Sequence, residues 1–338
     1  MKNTAMNEIT LSSKLSKKSI FLFTVIGFGV YICYLCLQQI SFPLISKEVS
    51  IKDIMKSSCY IHDIPPQEIH YVHFPYPKTY SREECACTPV RFFVIMSMQR
   101  SGSGWFETLL NSHPNVSSNG EIFSVKQRRS SISTIQATLD TVFGLEWVSS
   151  AAKNDCIAAV GFKWMLNQGV MVYHREIMDY FNQKGVSVIF LFRKNLLRRL
   201  VSVLANAYDR DAKQINGTHK SHVHTREEAN LLAKFKPVLN ISALISDLSS
   251  AEHTMTEALE FFKSCRHLLL YYEDLMKNPK ALSEAQEFLR VPIRNLVSHQ
   301  VKIHVKPLSE QIYNWEEVYR TLEGSEYKYF LNYADYIL

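Results

Sequence analysis

The chain has 338 residues, enough for one large α/β domain with extensions or for two smaller domains, and its 46% apolar content supplies a sizeable core. Its 38 basic and 32 acidic residues leave a net charge of +6 spread along the chain. A nucleic-acid binder concentrates its basic residues in a denser stripe, so the balance fits a few anion-binding residues in a pocket instead.

Residues 1–18 read as a cytosolic tail with Lys14, Lys17 and Lys18 at its end. Residues 19–37, SIFLFTVIGFGVYICYLCL, carry no charge and are long enough to cross a bilayer core of roughly 30 Å. The lysines before this run keep the tail in the cytosol, so everything after Leu37 is expected to face a lumen. No small-residue cleavage site follows, which favours an uncleaved anchor over a signal peptide. Three acceptor sequons, at Asn115, Asn216 and Asn240, accord with lumenal exposure as a glycoprotein. Beyond the anchor lie Cys59, Cys85, Cys87, Cys156 and Cys265, room for one or two disulfides of unreadable connectivity.

Residues 38–89 hold prolines and charges with little periodicity and read as a stem or irregular segment; residues 90–338 form the lumenal domain. Arg91 to Met96 is a short apolar run of the kind that makes a buried parallel strand. A Ser/Gly turn follows, then a helix from about Trp105 to Asn111. Cys156 to Lys163, Val186 to Phe192 and His267 to Tyr272 are further strands, and the last two lead into helices. Strands alternating with helices predict a parallel sheet covered on both faces.

The turn Met98-Gln99-Arg100-Ser101-Gly102-Ser103-Gly104-Trp105 stands where a strand hands over to a helix. Small residues there let backbone N–H groups curl around an anion, and the helix N-terminus adds partial positive charge. Arg100 is placed to reach the same anion, with Ser101 and Ser103 as hydroxyl donors. No lysine follows Gly104 and no Ser/Thr is placed to hold magnesium, so this is not the nucleoside-triphosphate loop of a P-loop kinase.

The Gln-Arg-Ser-Gly-Ser-Gly-Trp turn resembles the 5′-phosphosulfate loop of sulfotransferases that use PAPS (3′-phosphoadenosine 5′-phosphosulfate). The resemblance implies that Arg100 stabilises charge near the leaving oxygen and that Ser101, Gly102, Ser103, Gly104 and Trp105 form the loop. Phe192-Arg193-Lys194-Asn195 with Val201-Ser202 is similar to the family's 3′-phosphate site, an arginine after a strand and a serine on the next helix. Arg193 precedes Ser202 by nine positions and Lys194 by eight, so either cation fills the arginine's place. Tyr271-Tyr272-Glu273-Asp274-Leu275 resembles a structural turn of the same family, its carboxylates capping the next helix. The stretch from Lys306 to Tyr327 looks like the nodulation-type and trehalose-type carbohydrate sulfotransferases.

Transfer of a sulfuryl group to a hydroxyl needs a base. Glu121, in Gly120-Glu121-Ile122-Phe123, matches the position of a glutamate base in such enzymes, and Lys163 follows a strand where it can reach the sulfate or the acceptor. His113 reads as a helix C-cap; His219, His222 and His224 read as an acceptor-facing or product-facing loop; Trp315 and Tyr313 stack on a ring or belong to the core. The resemblance thus implies a Golgi membrane enzyme, type II, using PAPS without a metal on a carbohydrate or glycoconjugate acceptor. A P-loop kinase or other nucleotide-dependent transferase, and a catalytically degenerate receptor or scaffold of this fold, are the competing readings.

Overall fold

The computed structural model describes residues 26–29, 31, 64–148 and 156–331. The chain divides into two units, Met1–Cys59 and Tyr60–Leu338. The expected tail lies outside the described residues, as does the expected anchor except for residues 26–29 and 31, which are helical and exposed. Among the described residues no helix is long and apolar enough to cross a membrane.

The second unit carries a five-stranded parallel sheet. In chain order it runs β1 (Arg91–Ser97), α1 (Ser103–Asn111), β2 (Val116–Ser118), α2 (Ile132–Phe143), β3 (Ala159–Met165), α3 (His174–Lys184), β4 (Val186–Phe192) and α4 (Leu196–Ala212). It continues with α5 (Arg226–Leu232), α6 (Ile241–Phe261), β5 (His267–Tyr271), α7 (Tyr272–Lys277), α8 (Pro279–Phe288), α9 (Leu308–Gln311) and α10 (Trp315–Glu323).

The strand order is β2-β3-β1-β4-β5. After β1 the chain builds one side of the sheet and then crosses to the other for β4 and β5. The carboxyl ends of β1, β3 and β4 therefore border a reversal point, where open α/β sheets leave a crevice for ligands. All seven residues of β1, β3 and β4 are buried. Their side chains alternate between two cores, as a period of two demands: Phe92, Val94 and Met96 join one, Phe93 and Ile95 the other. Being covered on both faces explains why these strands are mostly apolar rather than alternating.

Helix α3 ends and helix α4 begins where local chemistry dictates. Asn195 caps α4, its side chain accepting from the N–H of Arg198. Gly185, with φ of 58°, ends α3 in the left-handed region and leads directly into β4.

Residues ahead of β1 are stitched to this body. His73 and Val90 exchange backbone hydrogen bonds, and the His73 ring stacks on Phe92 at 4.0 Å. Glu68 is buried and faces Arg91, Arg266 and Arg290 at 3.6, 3.7 and 3.0 Å. Burial pushes its carboxyl up, but the three guanidinium groups outweigh this and hold it below the usual range. Cys85 is bonded to Cys156 across 71 positions, clamping this segment to the residues before β3.

Closing a loop of that length removes unfolded-chain entropy worth about 4 kcal/mol in the chain-entropy picture. The Cys85→Ser, Cys156→Ser double variant should lose about 2–4 kcal/mol in a urea titration. An unchanged midpoint and slope would show that the link contributes nothing.

Candidate active site

The turn between β1 and α1 has the shape its residues suggested. Arg100 and Gly102 both lie in the left-handed region, with φ of 65° and 84°. A side chain at Gly102 is barred twice, by this backbone and by Tyr272, whose ring would lie 2.2 Å from an added Cβ. Gly104 is flush against His222, 2.4 Å from where a Cβ would stand. No side chain caps α1. Its first N–H groups, which have no partner within the helix, stay available to an anion.

This turn forms one wall of a cavity of about 520 Å³. Among the described residues lining it are five cations, Arg100, Lys163, Arg193, Arg210 and Lys302, and one carboxylate, Glu121. The Arg100 guanidinium donates to Ser202 Oγ (2.9 Å), to Asn206 Oδ1 (3.3 Å) and to the Ser221 carbonyl (2.7 Å). It thereby ties the turn to the middle of α4. Burial and the nearby Arg193 lower its pKa to about 10, so it stays charged at neutral pH while lacking an anionic neighbour among the described residues.

Of the two cations offered for the second phosphate, the structure brings one to the cavity. Arg193 is buried, packs 5.3 Å from the Tyr272 ring centre and faces Glu273 at 3.6 Å. Lys194 does not line the cavity; its ammonium meets Asp274 Oδ1 at 2.6 Å, partly open to solvent. The physical reason is strand alternation carried into the turn after β4, which sends neighbouring side chains in different directions. Glu273 completes the arrangement by accepting from the N–H groups of Lys194 and Asn195; the expected cap of the next helix is not formed, for α7 has no side-chain cap.

Ser101 also departs from expectation. It is 1% exposed, does not line the cavity, and its hydroxyl has no hydrogen-bond partner among the described residues. Ser103, Gly104 and Trp105 do line it, and Trp105 meets Tyr272 edge-on at 5.7 Å.

On the far side of the turn Glu121 and Lys163 come together. Lys163, buried on β3, stands 3.5 Å from Glu121 Oε2 and 3.5 Å from Glu107 Oε2. Glu121 accepts a 2.6 Å hydrogen bond from Gln168 through Oε1, and its side chain keeps 32% of its surface open. A carboxylate so oriented and yet accessible is suited to receiving a proton.

The histidines separate. His113 is fully buried away from the cavity, donating to the Pro292 carbonyl and accepting from the N–H of Asn115. His219 donates to buried Asp209 at 2.7 Å, pinning its loop to α4 and so placing Ser221 on Arg100. His222 lines the cavity; although part of the residue reaches solvent, burial and then Arg100 and Lys163 lower its pKa to about 4. His304, which the sequence did not single out, lines it too, and burial and Arg100 take it to about 3. Neither Trp315 nor Tyr313 reaches the cavity: Trp315 packs on the core and Tyr313 is 76% exposed. Asn115 is committed as well, donating to the Cys156 carbonyl, while Asn216 and Asn240 are exposed.

A parallel α/β sheet with an uncapped helix start, a glycine turn and clustered cations is suited to holding an anionic group. The sulfotransferase domain family matches residues 91–328, and the chain belongs to that family. It is 23% identical to nodulation protein H of Rhizobium meliloti over 262 residues, 73% of this chain and 97% of that one. Nodulation protein H of Rhizobium tropici is 24% identical over 250 residues, 72% and 94% of the two chains. Among solved structures, a sulfotransferase domain from the curacin biosynthetic pathway overlays with a TM-score of 0.32 at 17% identity, covering 60% of this chain and 75% of that one. The sulfotransferase from Alicyclobacillus acidocaldarius gives 0.35 at 11% identity, with 68% and 93% covered.

The depressed histidines have a consequence for stability. An unfolded chain takes up a proton at each near pH 6.5, whereas folded His304 does so only near 3. The unfolded state therefore binds more protons as pH falls from 7 to 5, and stability drops. His304→Gln should remove up to about 2 kcal/mol of that acid-side loss, read from denaturant midpoints at the two pH values. Parallel wild-type and variant profiles would refute a buried neutral His304.

Proposed function

We propose that the enzyme transfers a sulfuryl group from PAPS to a hydroxyl of a carbohydrate or glycoconjugate, with Glu121 as the base. The observation that carries this reading is the pairing of five cations with one carboxylate around a single cavity at the start of α1. A donor with a phosphosulfate and a separate phosphate matches such a charge distribution, whereas the turn has no lysine after Gly104 for a nucleoside triphosphate. The turn with Arg100 would hold the phosphosulfate, and Arg193 with Ser202 the 3′-phosphate.

In the reaction the acceptor O–H bond breaks and its proton passes to Glu121. The oxygen forms a bond to sulfur as the bond from sulfur to the bridging oxygen breaks. The electron pair leaves on the 5′-phosphate, giving 3′,5′-adenosine bisphosphate (PAP). Charge growing on that phosphate is met by Arg100 and the N-terminus of α1, groups already oriented before reaction. Lys163, beside Glu121, is suited to the sulfate oxygens. The placement of Glu121 supports a hydroxyl acceptor, and the resemblance of the stretch from Lys306 to Tyr327 to carbohydrate sulfotransferases supports the carbohydrate class. An anchor at residues 19–37, a stem at 38–89 and a lumenal Golgi domain at 90–338 remain part of the proposal, supported by the apolar run, the exposed sequons at Asn216 and Asn240, and the Cys85–Cys156 disulfide.

PAP should raise the melting temperature of the lumenal domain, and ATP with magnesium should not. The reverse result would favour a kinase, and no response to either a receptor or scaffold. Glu121→Gln should bind PAP as the wild type does while losing about 10²–10⁴-fold in transfer of labelled sulfate from PAPS. Loss of PAP affinity in that variant would mark Glu121 as structural. Arg100→Ala should abolish transfer; near-normal turnover would refute its role at the leaving group.

A further inference from the structure

Glu107 lies on α1, one turn beyond the glycine loop, and is buried like Phe106, Leu109 and Leu110 of the same helix. It is 7% exposed. A carboxylate removed from water to that extent costs several kcal/mol unless each oxygen is bonded. Here both are. Oε1 accepts from Ser118 Oγ at 2.6 Å and from the Gly120 N–H at 2.9 Å. Oε2 faces the Lys163 ammonium at 3.5 Å.

These partners all lead to Glu121. Gly120 is its immediate neighbour in the chain, held in the left-handed region at φ of 74°. Lys163 is shared, standing at the same 3.5 Å from Glu107 Oε2 and Glu121 Oε2. An ammonium drawn equally by two carboxylates stays between them. Without the Glu107 charge it is drawn to Glu121 alone, and the resulting contact ion pair occupies the oxygen that Gln168 leaves free.

We propose that Glu107 is a positioning residue for sulfuryl transfer, acting through Lys163 and the Gly120 backbone to keep Glu121 Oε2 open to the acceptor hydroxyl. This rests on the reading of Glu121 as the base. Glu107 touches neither donor nor acceptor and is not itself a lining residue of the cavity.

Glu107→Gln keeps an amide oxygen for Ser118 and Gly120 while removing the charge that faces Lys163. The test compares wild type, Glu107→Gln, Lys163→Met and the double variant in kcat, in KM for PAPS and in PAP affinity by titration calorimetry. Glu107→Gln should lower kcat about 10- to 100-fold, the range for a misplaced reacting group, with PAP affinity within about threefold of wild type. In the Lys163→Met background the same change should cost less than about threefold, because its route to Glu121 is already cut. Full multiplication of the two losses, unchanged turnover in Glu107→Gln, or a collapse of PAP affinity would each overturn the proposal. If Glu107→Gln does not fold, Ser118→Ala replaces it in the same cycle, with a smaller loss of kcat that again vanishes beside Lys163→Met. The coupling is measured in proteins that retain Glu121, so an active Glu121→Gln sinks the base assignment and the role of Glu107 with it, whereas independent losses sink the role of Glu107 and leave the base assignment standing.

Discussion

Arg100 is a buried guanidinium whose hydrogen bonds run to a hydroxyl, an amide oxygen and a carbonyl, and whose nearest charged influence is another cation, Arg193. Keeping two like charges beside one another out of water is unfavourable unless an anion joins them. The fold supplies what tolerates this in the meantime. Glu273, itself buried, faces Arg193, and the aromatic ring of Tyr272 lies beneath the same guanidinium. The apolar sheet beneath supports the rest: β1 and β4 end side by side, so the turns that follow them deliver Arg100 and Arg193 to one place.

The second half of the site has the opposite electrostatic logic. There one ammonium, Lys163, is bracketed by Glu107 and Glu121, so carboxylates outnumber cations two to one before any ligand arrives. The cavity thus joins a region short of negative charge to one that has a carboxylate to spare. Transfer of a sulfuryl group to a hydroxyl uses both: fixed cations for the leaving side and a proton acceptor for the attacking side.

Much of this was legible in the amino-acid sequence because it depended on local pattern. The runs of β1 and β4 are mostly apolar, since both faces are covered, and the turn after β1 announces itself by glycine and serine. β2 was invisible: three residues, two of them serine, have no period to detect, and the strand exists only because β3 offers it a partner. The choice between Arg193 and Lys194 depended on which way each side chain leaves the turn, which spacing alone does not fix. Glu107 hid on a helix whose apolar residues suggested core, and its meaning came only with Lys163 from a strand more than fifty residues later. His304 sits in irregular chain with no motif around it and reaches the cavity through tertiary packing alone.

The central claim, that the cation pair is built for a nucleotide bearing a second phosphate, is tested most directly by comparing PAP with 5′-AMP in titration calorimetry on wild type and Arg193→Met. The account predicts that the 3′-phosphate strengthens binding more than about tenfold in the wild type, the gain of a charge-assisted contact, and that this advantage is lost in the variant. Equal affinity for the two nucleotides, or an advantage that survives the loss of Arg193, would contradict it.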